Sequence, residues 1–294
     1  MKKFKAIGLL LVANVLIFIT LSISFTVLAD FVLPSFGINL HQYINQADLI
    51  FALAIGFGGA FASLALSKYI ARMMINGNQI THPNTQAERF VYETVQRISE
   101  KLQITMPEVW IYESPDPNAF ATGPTRNKSM VAVSTGLLNN LNEGEVRAVL
   151  AHEMGHVYNG DMFTTTVLAG LMNTFVFLIS RMVYRQLAER NAALGFAAYI
   201  FLQIILSFLA MIPISWWSRR REFAADRFAA NTVGTEYMIS ALQSIDRWVQ
   251  RAQFEYSSQD ALATMKISGQ TRGFMQLFAT HPPIDDRVAA LRQL

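Results

Sequence analysis

Four long apolar blocks interrupt an otherwise mixed chain, and their placement predicts most of the architecture. Residues 6–29 and residues 49–67 carry no charged side chain, and neither do residues 162–180 or 192–217. Each block is long enough to cross a hydrocarbon layer of roughly 30 Å as a helix. The first pair is closed by Met1-Lys2-Lys3-Phe4-Lys5 on one side and by Lys68 and Arg72 on the other. Asp30 to Asp48 between them contains neither Lys nor Arg. The positive-inside rule therefore puts the N-terminus and residue 68 onward in the cytoplasm. A signal peptide would have an apolar core of only about 7–15 residues, so residues 6–29 read as an anchor. Gly56, Gly58, Gly59 and Ala60 suggest close helix packing in the second block.

The second pair is less purely apolar, holding Thr164, Thr165, Thr166, Asn173, Gln203, Ser207 and Pro213. The stretch Arg181 to Asn191 between its blocks reads as a loop carrying Arg181, Arg185 and Arg190 against Glu189. Full crossing would put that positive loop outside, against the orientation bias. Either the blocks form a hairpin that crosses despite this charge, or they are only partly embedded; the hairpin is the preferred reading. Trp216-Trp217 and Arg219-Arg220-Arg221 mark the return to the cytoplasmic interface.

Between the blocks the periodicity is that of a water-exposed fold. Pro83 to Gln103 predicts an amphipathic helix with Val91, Val95, Ile98 and Leu102 on one stripe. Val109-Trp110-Ile111-Tyr112 and Ser129 to Ser134 predict strands, with a turn at Ser114 to Pro117 and a short strand over Asn118 to Gly123. Beyond Arg221 the chain reads as mainly helical, with an apolar face through Leu242, Ile245 and Val249 and a polar loop at Ser257 to Gly273. The expected fold class is mainly α with a small β-sheet (α+β), with about four transmembrane or membrane-embedded helices. The expected divisions are an N-terminal transmembrane hairpin (1–69), the first part of a cytoplasmic domain (70–161), a second membrane hairpin (162–217) and the second part of that domain (218–294).

Composition supports this division. The 294 residues are 52% hydrophobic and only 15% charged, against about a quarter charged in a soluble domain. The net charge of +3 lies largely beside apolar blocks, which suits membrane orientation better than nucleic-acid binding. There is no cysteine, so there is no disulfide, and a metal must be held by His, Asp or Glu.

The candidate chemistry starts at His152-Glu153-Met154-Gly155-His156. Two histidines four apart on a helix share a face, and two imidazoles so placed can hold one Zn²⁺. Glu153 can then act as general base toward a metal-bound water. A helix is predicted here by Asn142 as N-cap, Glu145 as its capping-box partner, Val146, Val149, Leu150 and Val157 at helical spacing, and Asn159-Gly160 as a stop. The bland alternative is a chance match to a short motif. Glu222-Phe223-Ala224-Ala225-Asp226 offers two carboxylates on one helical face. Glu222 would be the third ligand, and Asp226 would accept a hydrogen bond from a ligand imidazole. The alternative is a solvated face shared with Arg219, Arg220, Arg221 and Arg227. Two spans lie between His156 and Glu222, so a hairpin returns Glu222 to the side it left. The metal would then sit close to the membrane surface. His41 and His82 are not expected to be ligands.

His152-Glu153-x-x-His156 and Glu222-x-x-x-Asp226, with Asn118-Ala119-Phe120 before and Thr280-His281-Pro282-Pro283 after, resemble the HtpX family. These are membrane zinc endopeptidases related to the CaaX prenyl proteases and thermolysin-like zincins. The resemblance covers nearly the whole chain. It implies a zincin-type fold, one Zn²⁺ on His152, His156 and Glu222, Glu153 as general base and acid, and Asp226 as a partner of a ligand. It also implies that His281 is the donor for the tetrahedral oxyanion, with Arg287 either supporting it or pairing with a carboxylate. Asn118 and Ala119 match the edge segment beside the substrate. The implied setting is a multi-pass protein of the bacterial inner membrane with a cytoplasmic catalytic domain. The implied partners are the lipid bilayer and polypeptide substrates, chiefly misfolded or damaged membrane proteins, with no nucleic acid. The alternatives are a CaaX-type endopeptidase and a non-catalytic scaffold with a structural zinc site.

Overall fold

The computed structural model describes residues 45–259 and 277–294. The expected first span, His41 and most of the expected loop at Ser257 to Gly273 lie outside these residues. The chain divides into two compact units, residues 1–62 with 166–211, and residues 63–165 with 212–294.

The first unit is built from the apolar parts of three helices, α1 (Gln46–Met74), α5 (Asp161–Ala188) and α6 (Ala192–Val233). Among the described residues these three are long and apolar enough to cross a membrane. Gly56 accounts for the close approach of α1 and α5: a Cβ there would strike Thr174 and the Gly170 backbone, while Gly170 in turn accommodates the Phe57 ring. Thr174 Oγ1 donates to the carbonyl of Gly170 at 2.8 Å. Gly58 and Gly59, which carried the same expectation, meet no neighbour within 4 Å among the described residues.

The expected loop at 181–191 is largely helical. α5 continues to Ala188, leaving residues 189–191 as the connection. Arg, Gln and Leu are good helix formers, so the charges do not end the helix. Their partner lies on α1: Asp48 accepts from Arg181 Nε at 3.3 Å and Arg185 Nη1 at 2.5 Å.

The second unit holds a four-stranded sheet in the order β1-β2-β4-β3, over Gly77–Gln79, Glu108–Tyr112, Lys128–Ser134 and Ala119–Thr125 for β1, β2, β4 and β3. β2 and β4 run parallel and the outer pairings are antiparallel. The central β4 is buried on both faces through Met130, Val131, Ala132 and Val133, the near-continuous apolar run a covered strand requires. β1 carries no apolar residue, which is why periodicity does not reveal it; it exists by pairing with β2.

α2 (Gln86–Leu102) is capped by Thr85, whose hydroxyl accepts from Glu88 N while Glu88 reaches back to Thr85 N. Its stripe of Val91, Val95 and Ile98 is buried. A short α3 (Thr135–Asn140) begins where Ser134 Oγ accepts from Leu137 N. α4 (Glu143–Asn159) carries the histidine motif. Its capping box is the one expected from Asn142 and Glu145. Gly160 ends it at φ 71°, a left-handed conformation that suits glycine. α4 is buried on nearly every side, packing on α2, β3 and α7 (Thr235–Gln259). Glu145 joins it to α7 by accepting from Ser240 and Ser244 Oγ at 2.6 and 2.7 Å. Burial pushes the Glu145 carboxyl up, but these hydrogen bonds outweigh it and hold it below its usual value. On α7 the expected apolar face fades along its length: Leu242 is buried, and Val249 is exposed. α8 (Ile284–Leu291) closes the unit against α7.

Candidate active site

His152 and His156 project from one face of α4, with their Nε2 atoms 3.2 Å apart. Glu222, on α6, completes a triangle: Oε2 lies 3.5 Å from His152 Nε2 and Oε1 lies 3.4 Å from His156 Nε2. Ligands at about 2.05 Å from a tetrahedral Zn²⁺ would be separated by roughly 3.3 Å. The three donors therefore fit one such ion in number, type and spacing. They also form the His/carboxylate cluster found among the described residues. Gly155 helps to bring the helices together, because a Cβ there would press on Ala225 and Phe228 of α6.

Each imidazole has its own carboxylate on the far side. His156 Nδ1 lies 2.6 Å from Asp161 Oδ2. His152 Nδ1 lies 2.9 Å from Asp226 Oδ1, close but off the line of a straight hydrogen bond. Asp226 was expected in this place and Asp161 was not. The signal lay in Gly160-Asp161: the left-handed glycine turns the chain so that the next carboxylate comes back to His156. Arg221 Nη1 in turn donates to the Asp161 carbonyl at 2.5 Å.

Asp226 also receives a two-pronged contact from Arg287, with Nε to Oδ2 at 2.7 Å and Nη2 to Oδ1 at 2.6 Å. Pairing with a carboxylate was one of the two possibilities for Arg287, and this is the contact it makes. Arg287 Nη1 lies a further 3.4 Å from Glu222 Oε2. His281 places Nδ1 2.9 Å from Glu222 Oε2, and it is 67% exposed while Glu222 is buried. His82 lies at the opposite, β1 edge of the sheet, away from the cluster.

Asn118 and Ala119 open the edge strand β3. The Asn118 N–H donates to Ser134 Oγ, and Ser134 N donates to the Asn118 carbonyl, both at 2.9 Å. Ala119 pairs with Val133. Glu153 lies near the same strand, at Ala121.

Burial raises the Glu153 carboxyl above the usual carboxylate range, opposed by the nearby imidazoles and reinforced by Glu222. For His156 burial acts downward, but hydrogen bonds to Asp161 and Glu222 win and lift it to about 10. At neutral pH a metal arriving at this face therefore displaces a proton.

A family model described as "Peptidase family M48" matches residues 85–294. The chain is 40% identical to "Protease HtpX homolog" of Methylacidiphilum infernorum, over 99% of each chain. It is 41% identical to "Protease HtpX" of Alkalilimnicola ehrlichii, over 98% of each. The corresponding protein of Yersinia enterocolitica is 43% identical, over 84% of this chain and 87% of its own. Among solved structures, S. mikatae Ste24p aligns with a TM-score of 0.63 at 16% identity, covering 95% of this chain and 67% of that one. That likeness speaks to the fold.

Proposed function

Because this chain belongs to peptidase family M48, with the HtpX proteases, and is a membrane-bound metalloprotease, we propose that His152, His156 and Glu222 hold one Zn²⁺ for peptide-bond hydrolysis at Glu153. The observation that carries this reading is the triangle of three donors at tetrahedral spacing, with a buried carboxylate one residue from the first histidine. When bound, the metal supplies acidity to a water and polarises the scissile carbonyl. Glu153 takes the proton of the attacking water on its carboxylate and returns it to the leaving amine.

Asp161 accepts from His156 Nδ1–H and Asp226 sets its carboxylate 2.9 Å from His152 Nδ1, which orients both rings with Nε2 toward Glu222. His281, lying against Glu222, supplies the oxyanion donor. Asn118 and Ala119 begin an edge strand to which an extended peptide can add by backbone pairing, giving binding tolerant of sequence. Arg287 holds Asp226 and approaches Glu222, so it stabilises the site through two carboxylates.

The substrates in this reading are polypeptides, chiefly misfolded or damaged proteins of a bacterial inner membrane, cut on the cytoplasmic side. The chain is read as a membrane hairpin at 1–69, catalytic parts at 70–161 and 218–294, and a second hairpin at 162–217. Asp48 pairs with Arg181 and Arg185, which gives these guanidiniums a carboxylate partner on a neighbouring apolar helix. The scaffold alternative calls for a closed four-ligand site, whereas three protein donors gather here among the described residues. The fold shared with Ste24p does not by itself choose a prenylated substrate.

The test is proteolysis of casein and of an unfolded membrane protein by the full chain in detergent. Cleavage is expected with zinc, stops with a chelator and returns on zinc addition; cleavage indifferent to chelator would remove the metal from the reading.

Asp161→Asn is expected to keep the fold and weaken zinc affinity by about 10- to 100-fold, the usual effect of losing a ligand's outer carboxylate. Competition against a metal-sensitive dye measures it. Wild-type affinity in Asp161→Asn would show that His156 needs no such partner.

A further inference from the structure

One stripe of α6 carries more than the metal ligand. Ser215, Arg219, Glu222 and Asp226 recur at intervals of four, three and four residues, so they line one face of the helix. Each meets the C-terminal segment. Ser215 Oγ donates to the Phe278 carbonyl at 3.0 Å. Arg219 Nη1 donates to the carbonyls of Leu277 at 3.2 Å and Ala279 at 2.6 Å. Glu222 meets His281, and Asp226 meets Arg287.

Three consecutive carbonyls are thus held by two side chains, three and seven residues before the metal ligand's position on the same helix. The segment needs such support. Pro282 and Pro283 have no N–H to give, and α8 has Pro283 as its N-cap residue, with no side-chain cap. His281 therefore lies between two anchors, the Ser215–Arg219 pair on one side and Arg287–Asp226 on the other.

We propose that Ser215 and Arg219 are positioning residues: they latch the backbone of 277–279 so that the His281 imidazole is presented to the reacting carbonyl. The inference rests on the reading of His281 as oxyanion donor. A donor misplaced by about 1 Å can lose roughly 100-fold in rate, and the latch is the contact that prevents this on the N-terminal side of His281.

The test is a double-mutant cycle on the full chain, zinc-loaded in detergent, with casein as substrate. Arg219→Ala is expected to lower kcat by roughly 10- to 100-fold, with KM and bound zinc little changed. Arg219→Lys, which keeps one cationic donor, recovers part of the rate. Ser215→Ala gives a smaller loss. In a His281→Ala background neither substitution lowers the rate further, since a latch acts only through the group it places. Should Arg219→Ala prove unfolded, Arg219→Lys and Ser215→Ala carry the same cycle. A wild-type kcat in these variants, a loss of zinc, or an equal loss in the His281→Ala background would overturn the latch. His281→Ala with unchanged kcat would overturn the reading of His281 and the latch together. A slow His281→Ala beside a fully active Arg219→Ala would overturn the latch alone.

Discussion

Glutamine at position 153 is expected to lower kcat by roughly 10²- to 10⁴-fold while zinc stays bound. Glutamine keeps the shape of the side chain and removes a buried charge, so the fold has little reason to change. What it cannot do is take a proton from water. Glu153 stands outside the set of donors formed by His152, His156 and Glu222, so its replacement should leave the metal affinity largely intact. Metal content by mass spectrometry and casein cleavage on the same sample separate the two roles. A Glu153→Gln protein that still cuts would mean that the proton acceptor is elsewhere. One that loses its zinc would mean that Glu153 is itself a ligand.

Arg287→Met is expected to produce the largest loss of stability, about 3–5 kcal/mol. The guanidinium faces two buried carboxylates: Asp226 through two hydrogen bonds, and Glu222 at 3.4 Å. Its side chain is 10% exposed and that of Asp226 is 2% exposed. Methionine preserves much of the volume but leaves Asp226 with only the off-line imidazole of His152 to answer its charge. Bound zinc would answer part of the charge on Glu222, so the loss should be greater with a chelator present than with zinc. Chemical denaturation of the detergent-solubilised protein under both conditions measures the difference. Equal stability of Arg287→Met and wild type in the chelated state would show that the two carboxylates do not need the guanidinium.

Features confined to one element were legible in advance. The capping box of Asn142 and Glu145, the stop at Gly160 and the buried stripe of α2 depend on residues within a turn or two of one another. Periodicity therefore carries them. Other features escaped for definite reasons. β1 has no apolar residue to mark it. Arg181 and Arg185 read as loop charges because their partner, Asp48, belongs to a different helix. Asp161 looked like a residue past the end of the motif helix, and only the left-handed turn at Gly160 brings it to His156.

The amino-acid order by itself determined the three long apolar helices among the described residues, the two histidines on one helical face and the two carboxylates on another, because helical geometry converts spacing directly into direction. Tertiary structure alone decided that Glu222 closes the triangle, that Arg287 pairs with Asp226, and that His281 lies against Glu222. Those pairings depend on how separate elements pack, through contacts such as Gly155 against Ala225. No local spacing encodes the angle at which two helices meet.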